Sequence, residues 1–437
     1  MTPTRVRRRV KLFPSLVLAS LIVVSLTIGS ASRAGAALSG TDWSEVGVPS
    51  SYDDGLTTGV QALTSCAPES TFCMAIVYNT DVQIPSPDGG DAVGQGVLVT
   101  SDGVHWTSYL SLPSDEIVAG LSCPAVNDCV TVGAPPGEYA SNASETTDGG
   151  QSWTVLSSLP ATVPIDTSNG VVQQSWEAFG ISCPTASDCY IVGTGGGVGP
   201  HPTPPESGVI IGTEDGGQTW TTTVEPQSVA VELFSISCES PMSCVAVGDT
   251  AGPAPGVALS TTDGGATWLS SPSPTLDGVG DLVSVSCAGD NGGLDICMAI
   301  GYATTGSAVI RSTDGGVTWS GWEFTGIPSR GGLYAISCAT ADDCWAMNAT
   351  PVGDPLYGTA DGGSSWASVA DDDAALGGAD GLSCALSKQV CIATVDGGLW
   401  ETTDGGGWGA AATGASVNQP LPPTALRSCQ PPPGRRQ

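Results

Sequence analysis

A carboxylate set between a hydroxyl residue and glycine can hold a proton, a metal ion or a backbone turn, and this chain repeats that grouping along its length. It reads "TTDGGQSW" at 146–153, "TEDGGQTW" at 213–220, "TTDGGATW" at 261–268, "STDGGVTW" at 312–319 and "TADGGSSW" at 359–366. Two copies are one residue shorter, "TSDGVHW" at 100–106 and "TTDGGGW" at 402–408. The carboxylates are Asp102, Asp148, Asp215, Asp263, Asp314, Asp361 and Asp404. A reaction centre needs one such group, whereas a repeated scaffold needs one per repeat. Asp-Gly is a strong hairpin signal because glycine accepts the positive φ of a tight turn. The aspartate can cap turn N–H groups, and the Ser or Thr two residues earlier can join the same network. The tryptophan that follows can cover the sheet, a burial worth about 3 kcal/mol. These aspartates are read as structural.

The cysteines form a second series: Cys66/Cys73, Cys123/Cys129, Cys183/Cys189, Cys238/Cys244, Cys287/Cys297, Cys338/Cys344 and Cys384/Cys391, with Cys429 left over in a Pro-rich tail. Their spacings fit neither Cys-x-x-Cys redox chemistry nor zinc knuckles. They suit hairpins whose facing strand ends lie within disulfide range. His105 and His201 are the only histidines, too few for a histidine-based zinc site, and no cofactor is expected. The chain carries 43 acidic and 12 basic residues, a formal net charge of −31. Such a surface repels phosphate backbones and excludes nucleic acid as a partner.

These motifs need elements to hold them. "LSCPAVNDCVTVG" (121–133), "ISCPTASDCYIVG" (181–193), "ISCESPMSCVAVG" (236–248) and "ISCATADDCWAMN" (336–348) alternate with the aspartate turns. Each repeat predicts four short strands. One ends in Ser-Cys, one reads Cys-x-x-Val-Gly, a third resembles "GVII" (208–211), and a Trp-led fourth resembles "WTTT" (220–223). Four antiparallel strands every 40–50 residues or so predict an all-β, seven-bladed β-propeller with intra-blade disulfides.

Residues 1–36 read as a signal peptide, with Arg5, Arg7, Arg8, Arg9 and Lys11 ahead of an apolar run and Ala34-Gly35-Ala36 as the cleavage site. An uncleaved anchor is the alternative. Residues 37–412 are assigned to the propeller and 413–437 to a Pro-rich tail. Export to an oxidising compartment agrees with the cysteine content, so the expected location is extracellular, at the cell envelope, with no membrane insertion after leader cleavage. "DWSEVGVP" (42–49) resembles the outer strands without an aspartate turn before it, and is expected to close the ring by pairing near Leu399-Trp400.

Ser312, Asp314, Gly316, Thr318 and Trp319 together resemble the Asp-box, or BNR repeat, found in the propellers of sialidases, xyloglucanases, sortilin-type receptors and photosystem II assembly factors. The resemblance spans about residues 40–410. It implies that the motif lies on the hairpin between the outer two strands, away from any active site. The sialidase arginine triad is missing: Arg311, Arg330, Arg427, Arg435 and Arg436 are the only arginines after the leader, and only Arg330 falls on the other face.

A four-strand meander sends the cysteine hairpins and aspartate turns to one face and the variable connections to the other. Binding is expected on that variable face, with Tyr139, Trp176, Arg330 and Tyr357 as candidate contacts. Asp371, Asp372 and Asp373 read as a solvated acidic run, with calcium ligation as the alternative. The expected function is non-catalytic binding of a protein or glycan ligand. The alternative is a glycoside hydrolase using a carboxylate pair.

Overall fold

The computed structural model describes residues 44–45, 62–85, 91–102, 105–109, 117–134, 141–156, 159–167, 170–196, 207–222, 232–250, 256–271, 279–289, 296–303, 306–322, 332–348, 356–368, 379–385, 390–395 and 398–402. They form a β-propeller of four-stranded antiparallel sheets. In one blade Trp176–Ser182, Cys189–Gly195, Ser207–Thr213 and Thr221–Thr222 pair in chain order. The second and third strands, "CYIVGTG" and "SGVIIGT", are buried throughout. That is why they read as continuous apolar runs: a blade lies on each side of them. The fourth strand has two residues, which leaves little edge open to another sheet.

Six blades follow this consecutive pattern: blade 1 (62–109), blade 2 (117–155), blade 3 (176–222), blade 4 (232–270), blade 5 (279–322) and blade 6 (333–368). The expectation of seven such blades is corrected to six. The last three strands, Ala379–Cys384, Cys391–Val395 and Gly398–Thr402, instead share a composite sheet with Ser44–Glu45 from the other end of the chain. Ser44 lies opposite Glu401 and Glu45 opposite Trp400, so the N-terminal strand covers the edge of Gly398–Thr402. The first strands of the six blades and of the composite sheet pack on one another in cyclic order. They surround a central channel.

All seven cysteine pairs form disulfides, each joining the first two strands of its sheet with Cα atoms 4.0 Å apart: Cys66–Cys73, Cys123–Cys129, Cys183–Cys189, Cys238–Cys244, Cys287–Cys297, Cys338–Cys344 and Cys384–Cys391. The pairing is the one expected, and the bridges are covered: Cys73, Cys129, Cys244 and Cys297 are at most 1% exposed. Cys73 packs with Leu98 and Ile392, Cys129 with Met74 and Val97, Cys244 with Leu259, and Cys297 with Val245 and Ile310. The reason is that each of these cysteines opens the second strand, which has a blade on either side. The bridges are therefore core residues and no part of a binding surface. Cys429 lies outside the described residues.

The serine before the first cysteine of each pair has a role the sequence reading did not assign. The hydroxyl of Ser65 accepts the backbone N–H of Cys123 in the next blade at 3.0 Å. Ser122, Ser182, Ser237, Ser286 and Ser337 repeat the bond to Cys183, Cys238, Cys287, Cys338 and Cys384. Ser383 returns it to Cys66 at 3.0 Å, across the junction between the composite sheet and blade 1. Each Ser-Cys therefore satisfies a backbone donor of its neighbour where water is scarce.

The aspartate turns are scaffolding in atomic detail. In blade 5 the Ser312 hydroxyl donates to Asp314 Oδ1 at 2.8 Å and accepts the Gly316 N–H at 2.8 Å. The Thr318 N–H and hydroxyl fill the two carboxylate oxygens at 2.8 and 2.6 Å. Blades 2, 3, 4 and 6 repeat this around Asp148, Asp215, Asp263 and Asp361. In the shortened blade 1 copy, His105 Nδ1 meets Asp102 at 2.7 Å in place of a hydroxyl. Both glycines hold positive φ, 69° and 84° at Gly315 and Gly316. A Cβ on Gly316 would come within 2.5 Å of Val245 in blade 4, so the turn seats directly on the preceding blade. Trp319 donates to Ser271 of that blade at 3.1 Å and is buried.

One element escaped the sequence reading. Val163–Thr167 and Gly170–Gln174 form a separate two-stranded hairpin between blades 2 and 3. It accounts for part of the long interval between Trp153 and Trp220. Asn169-Gly170 was the available turn signal.

Candidate functional site

Each first strand starts on the variable-loop side of the channel and descends to its cysteine hairpin. Four residues before that cysteine, the ladder skips a residue in six of the sheets. The skipped residues are Ala119, Phe179, Phe234, Val283, Tyr334 and Asp380. A β-bulge of this kind re-aims a side chain, and bulges recur beside functional sites. The opposing strand explains how the bulge is accommodated. Gly193, Gly248 and Gly301 lie across from Ala178, Leu233 and Leu282. A Cβ at those glycines would collide with the carbonyl oxygens of Glu177, Glu232 and Asp281. The glycine that ends "CYIVG" and "CVAVG" is thus the clearance for the bulge.

The bulge leaves one residue of each of these inner strands out of the ladder, near the end of the strand away from the cysteine hairpin, here called the channel mouth. Phe179 and Phe234, from adjacent blades, are half-buried, with ring centroids 6.0 Å apart and planes at 31°. Val283 and Tyr334 occupy the equivalent places in the next two blades and are also half-buried. Two residues above, Glu177, Glu232 and Asp281 share one position in blades 3, 4 and 5. Their neighbours Ala178, Leu233 and Leu282 are buried between blades. Successive strand residues face opposite ways, so the three acids face away from that packing. Among the described residues, nothing hydrogen-bonds or ion-pairs with the Glu177 carboxyl. Burial pushes its pKa above the ordinary 4.5. The Tyr302 phenol is pushed up by burial and then by the charge of Asp281. Half-buried aromatic rings close in sequence to the unpaired Glu177 carboxyl can receive a cation, or Glu177 can hold a proton.

The repeated aspartates contrast with this. Hydrogen bonds from Ser152, Thr219 and Thr267 hold Asp148, Asp215 and Asp263 below the ordinary 3.8. At Asp314 and Asp361 burial pulls upward, and the bonds from Thr318 and Ser365 outweigh it. Such carboxylates stay charged and occupied, unsuited to proton transfer.

Two candidate ligand contacts are corrected. Trp176 is fully buried and its indole N–H donates to the Pro160 carbonyl at 2.6 Å, beneath the 163–174 hairpin. Tyr357 is 1% exposed in the core between blades 5 and 6. Both lie inside strands whose neighbours cover them. Tyr139, Arg330, Asp371, Asp372, Asp373 and Asp404 lie outside the described residues. The bulge-borne residues were missed, although an acid six residues before the cysteine in three consecutive repeats was a visible signal. Among the described residues, no helix is long and apolar enough to cross a membrane.

No family model and no curated protein matches this sequence. Among solved structures, the chain is similar to YCF48 bound to a D1 peptide, at 16% identity and TM-score 0.53, covering 85% of this chain and 99% of that one. It is also similar to the GH74 xyloglucanase of Xanthomonas campestris, at 15% identity and TM-score 0.48, covering 79% of this chain and 52% of the enzyme. A Hadza microbial sialidase matches at 13% identity and TM-score 0.43, over 68% of this chain and 64% of that one. The first of these likenesses, with the sheets described above, defines the class: a β-propeller with disulfide-bonded four-stranded blades.

Proposed function

We propose that this chain is a secreted, non-catalytic Asp-box propeller that binds a protein ligand at the cell envelope through its variable-loop face. The observation that carries this reading is the bulge ring, which leaves Phe179 and Phe234 half-exposed at the channel mouth while the repeated aspartates serve the scaffold. A rigid, disulfide-tied ring with large aromatic side chains at its mouth is a preorganised surface, which lowers the ordering cost of binding. The peptide-bound state of YCF48 agrees with a protein ligand for this architecture. The basic, apolar leader and seven disulfides support export.

One observation favours the hydrolase alternative. Burial raises the Glu177 pKa, the direction a general acid needs, and Glu232 holds the same place one blade on. Peptide and glycan arrays probed with the purified protein, beside turnover assays on sialosides and β-glucans, separate the two. Saturable binding of a peptide without turnover is expected. Turnover that disappears in Glu177→Gln would overturn the binding reading.

A further inference from the structure

We infer that the channel-mouth sector of blades 3 to 6 receives an extended basic peptide, laying a lysine or arginine side chain over Phe179 and Phe234 with Glu177, Glu232 or Asp281 as its counter-charges; this rests on the binding function proposed above.

The sector differs in polarity from blade 2. At the position holding Glu177, Glu232 and Asp281, blades 2 and 6 carry Ile117 and Gly332. At the bulge, blade 2 carries only Ala119, whereas blades 3 to 6 carry Phe179, Phe234, Val283 and Tyr334. Aromatic faces and acids therefore coincide on blades 3 and 4, with Asp281 and Tyr334 extending the two sets to blades 5 and 6. An aromatic face attracts a cation within about 6 Å of its centroid, and the attraction grows as water is excluded. Glu177 is half-buried with no neutralising partner among the described residues, so a cationic ligand supplies what the fold withholds. Three acids spread over three blades match a segment that runs along the mouth. The formal charge of −31 speaks against nucleic acid and anionic lipid as occupants. An uncharged glycan would use the aromatic faces and leave the Glu177 carboxyl unanswered.

The test uses the whole secreted protein and fluorescein-labelled Ser-Gly peptides bearing lysines, glutamates or neither, followed by anisotropy. The lysine peptide is expected to bind, and to weaken between about 50 and about 500 mM salt as screening shortens the range of the charges. Phe179→Ala and the isosteric pair Glu177→Gln/Glu232→Gln are each expected to weaken it about tenfold. The control pair Glu69→Gln/Glu214→Gln removes the same charge from exposed hairpin tips on the opposite face, and is expected to change binding less than about twofold. Circular dichroism and melting confirm folding, and Phe179→Leu replaces Phe179→Ala if the latter unfolds. Equal loss in the control pair would reduce the effect to a diffuse field and overturn the inference. So would equal binding of the lysine-free peptide. An array ligand that binds while the lysine peptide does not would sink the basic-ligand inference and leave the binding function standing. Binding of neither would sink both.

Discussion

Removing one hydroxyl from the inter-blade serine ring tests whether the propeller is held as described. Ser286 is 9% exposed, and its hydroxyl accepts the Cys338 N–H of blade 6 at 3.0 Å. Ser286→Ala deletes the acceptor and leaves a buried backbone donor without a partner, because the cysteine hairpin is tied by its own disulfide. The cost is that of desolvating an unpaired donor, about 1–3 kcal/mol, and exceeds the net value of an ordinary hydrogen bond. Unfolding entropy scales at about 2.1 cal/mol/K per residue, so a ring of about 370 residues should melt roughly 1–4 °C lower. The matched control is Ser320→Ala, whose hydroxyl donates to the Arg311 carbonyl at 3.1 Å in an exposed position. It should cost less than about 0.5 kcal/mol. Urea titration and calorimetry on both variants give the comparison. If Ser286→Ala matches the control, the hydroxyl ring is decoration and the blades are held by apolar packing alone. Ser383→Ala, at the junction with blade 1, should cost the same as Ser286→Ala if that junction is a true closure.

Three further outcomes are expected. Replacing Cys338 and Cys344 together by alanine should cost about 2 kcal/mol by urea titration, since the bridged loop is short and its closure entropy small. Gly193→Ala should destabilise by about 3 kcal/mol and weaken ligand binding, because the added methyl meets the Glu177 backbone and the bulge beneath Phe179 must rearrange; retained stability with normal binding would refute the clearance argument. On pH, Glu177, Glu145 and Asp128 have pKa values raised by burial, so their contribution is present at low pH and lost as pH rises through those values. Asp148, Asp215, Asp263, Asp314 and Asp361 are lowered, so theirs is present above the ordinary 3.8 and lost as pH falls through the depressed values. Melting temperature should therefore rise as pH falls toward the raised carboxyl values and drop again below the ordinary 3.8. A steady decline from pH 7 downward would contradict these assignments.

The turns, the disulfide pairing and the strand order were legible in the chain because each is local. Asp-Gly-Gly, the adjacent Ser or Thr, and cysteines six to ten positions apart act within one hairpin. Trp176 and Tyr357 show where that reading stops. Both are aromatic residues beside variable loops, yet both are core, because the side of a strand that is covered depends on the neighbouring blade. The same neighbour buries Cys129 and Cys244, whose pairing is local but whose surroundings are not. The Ser-Cys hydroxyls also needed the assembled ring, since they bond residues 50 and 52 positions away in blades 5 and 6 and 317 positions away at the closure. The channel mouth is the sharpest case. The glycine of Cys-x-x-Val-Gly is visible in every clean repeat but one, but its purpose appears only when the facing carbonyl is in place. A bulge is a mismatch between two strands, and no single strand encodes it. Tertiary packing alone decides that Phe179 meets Phe234, because the blades must first be curled about a common axis.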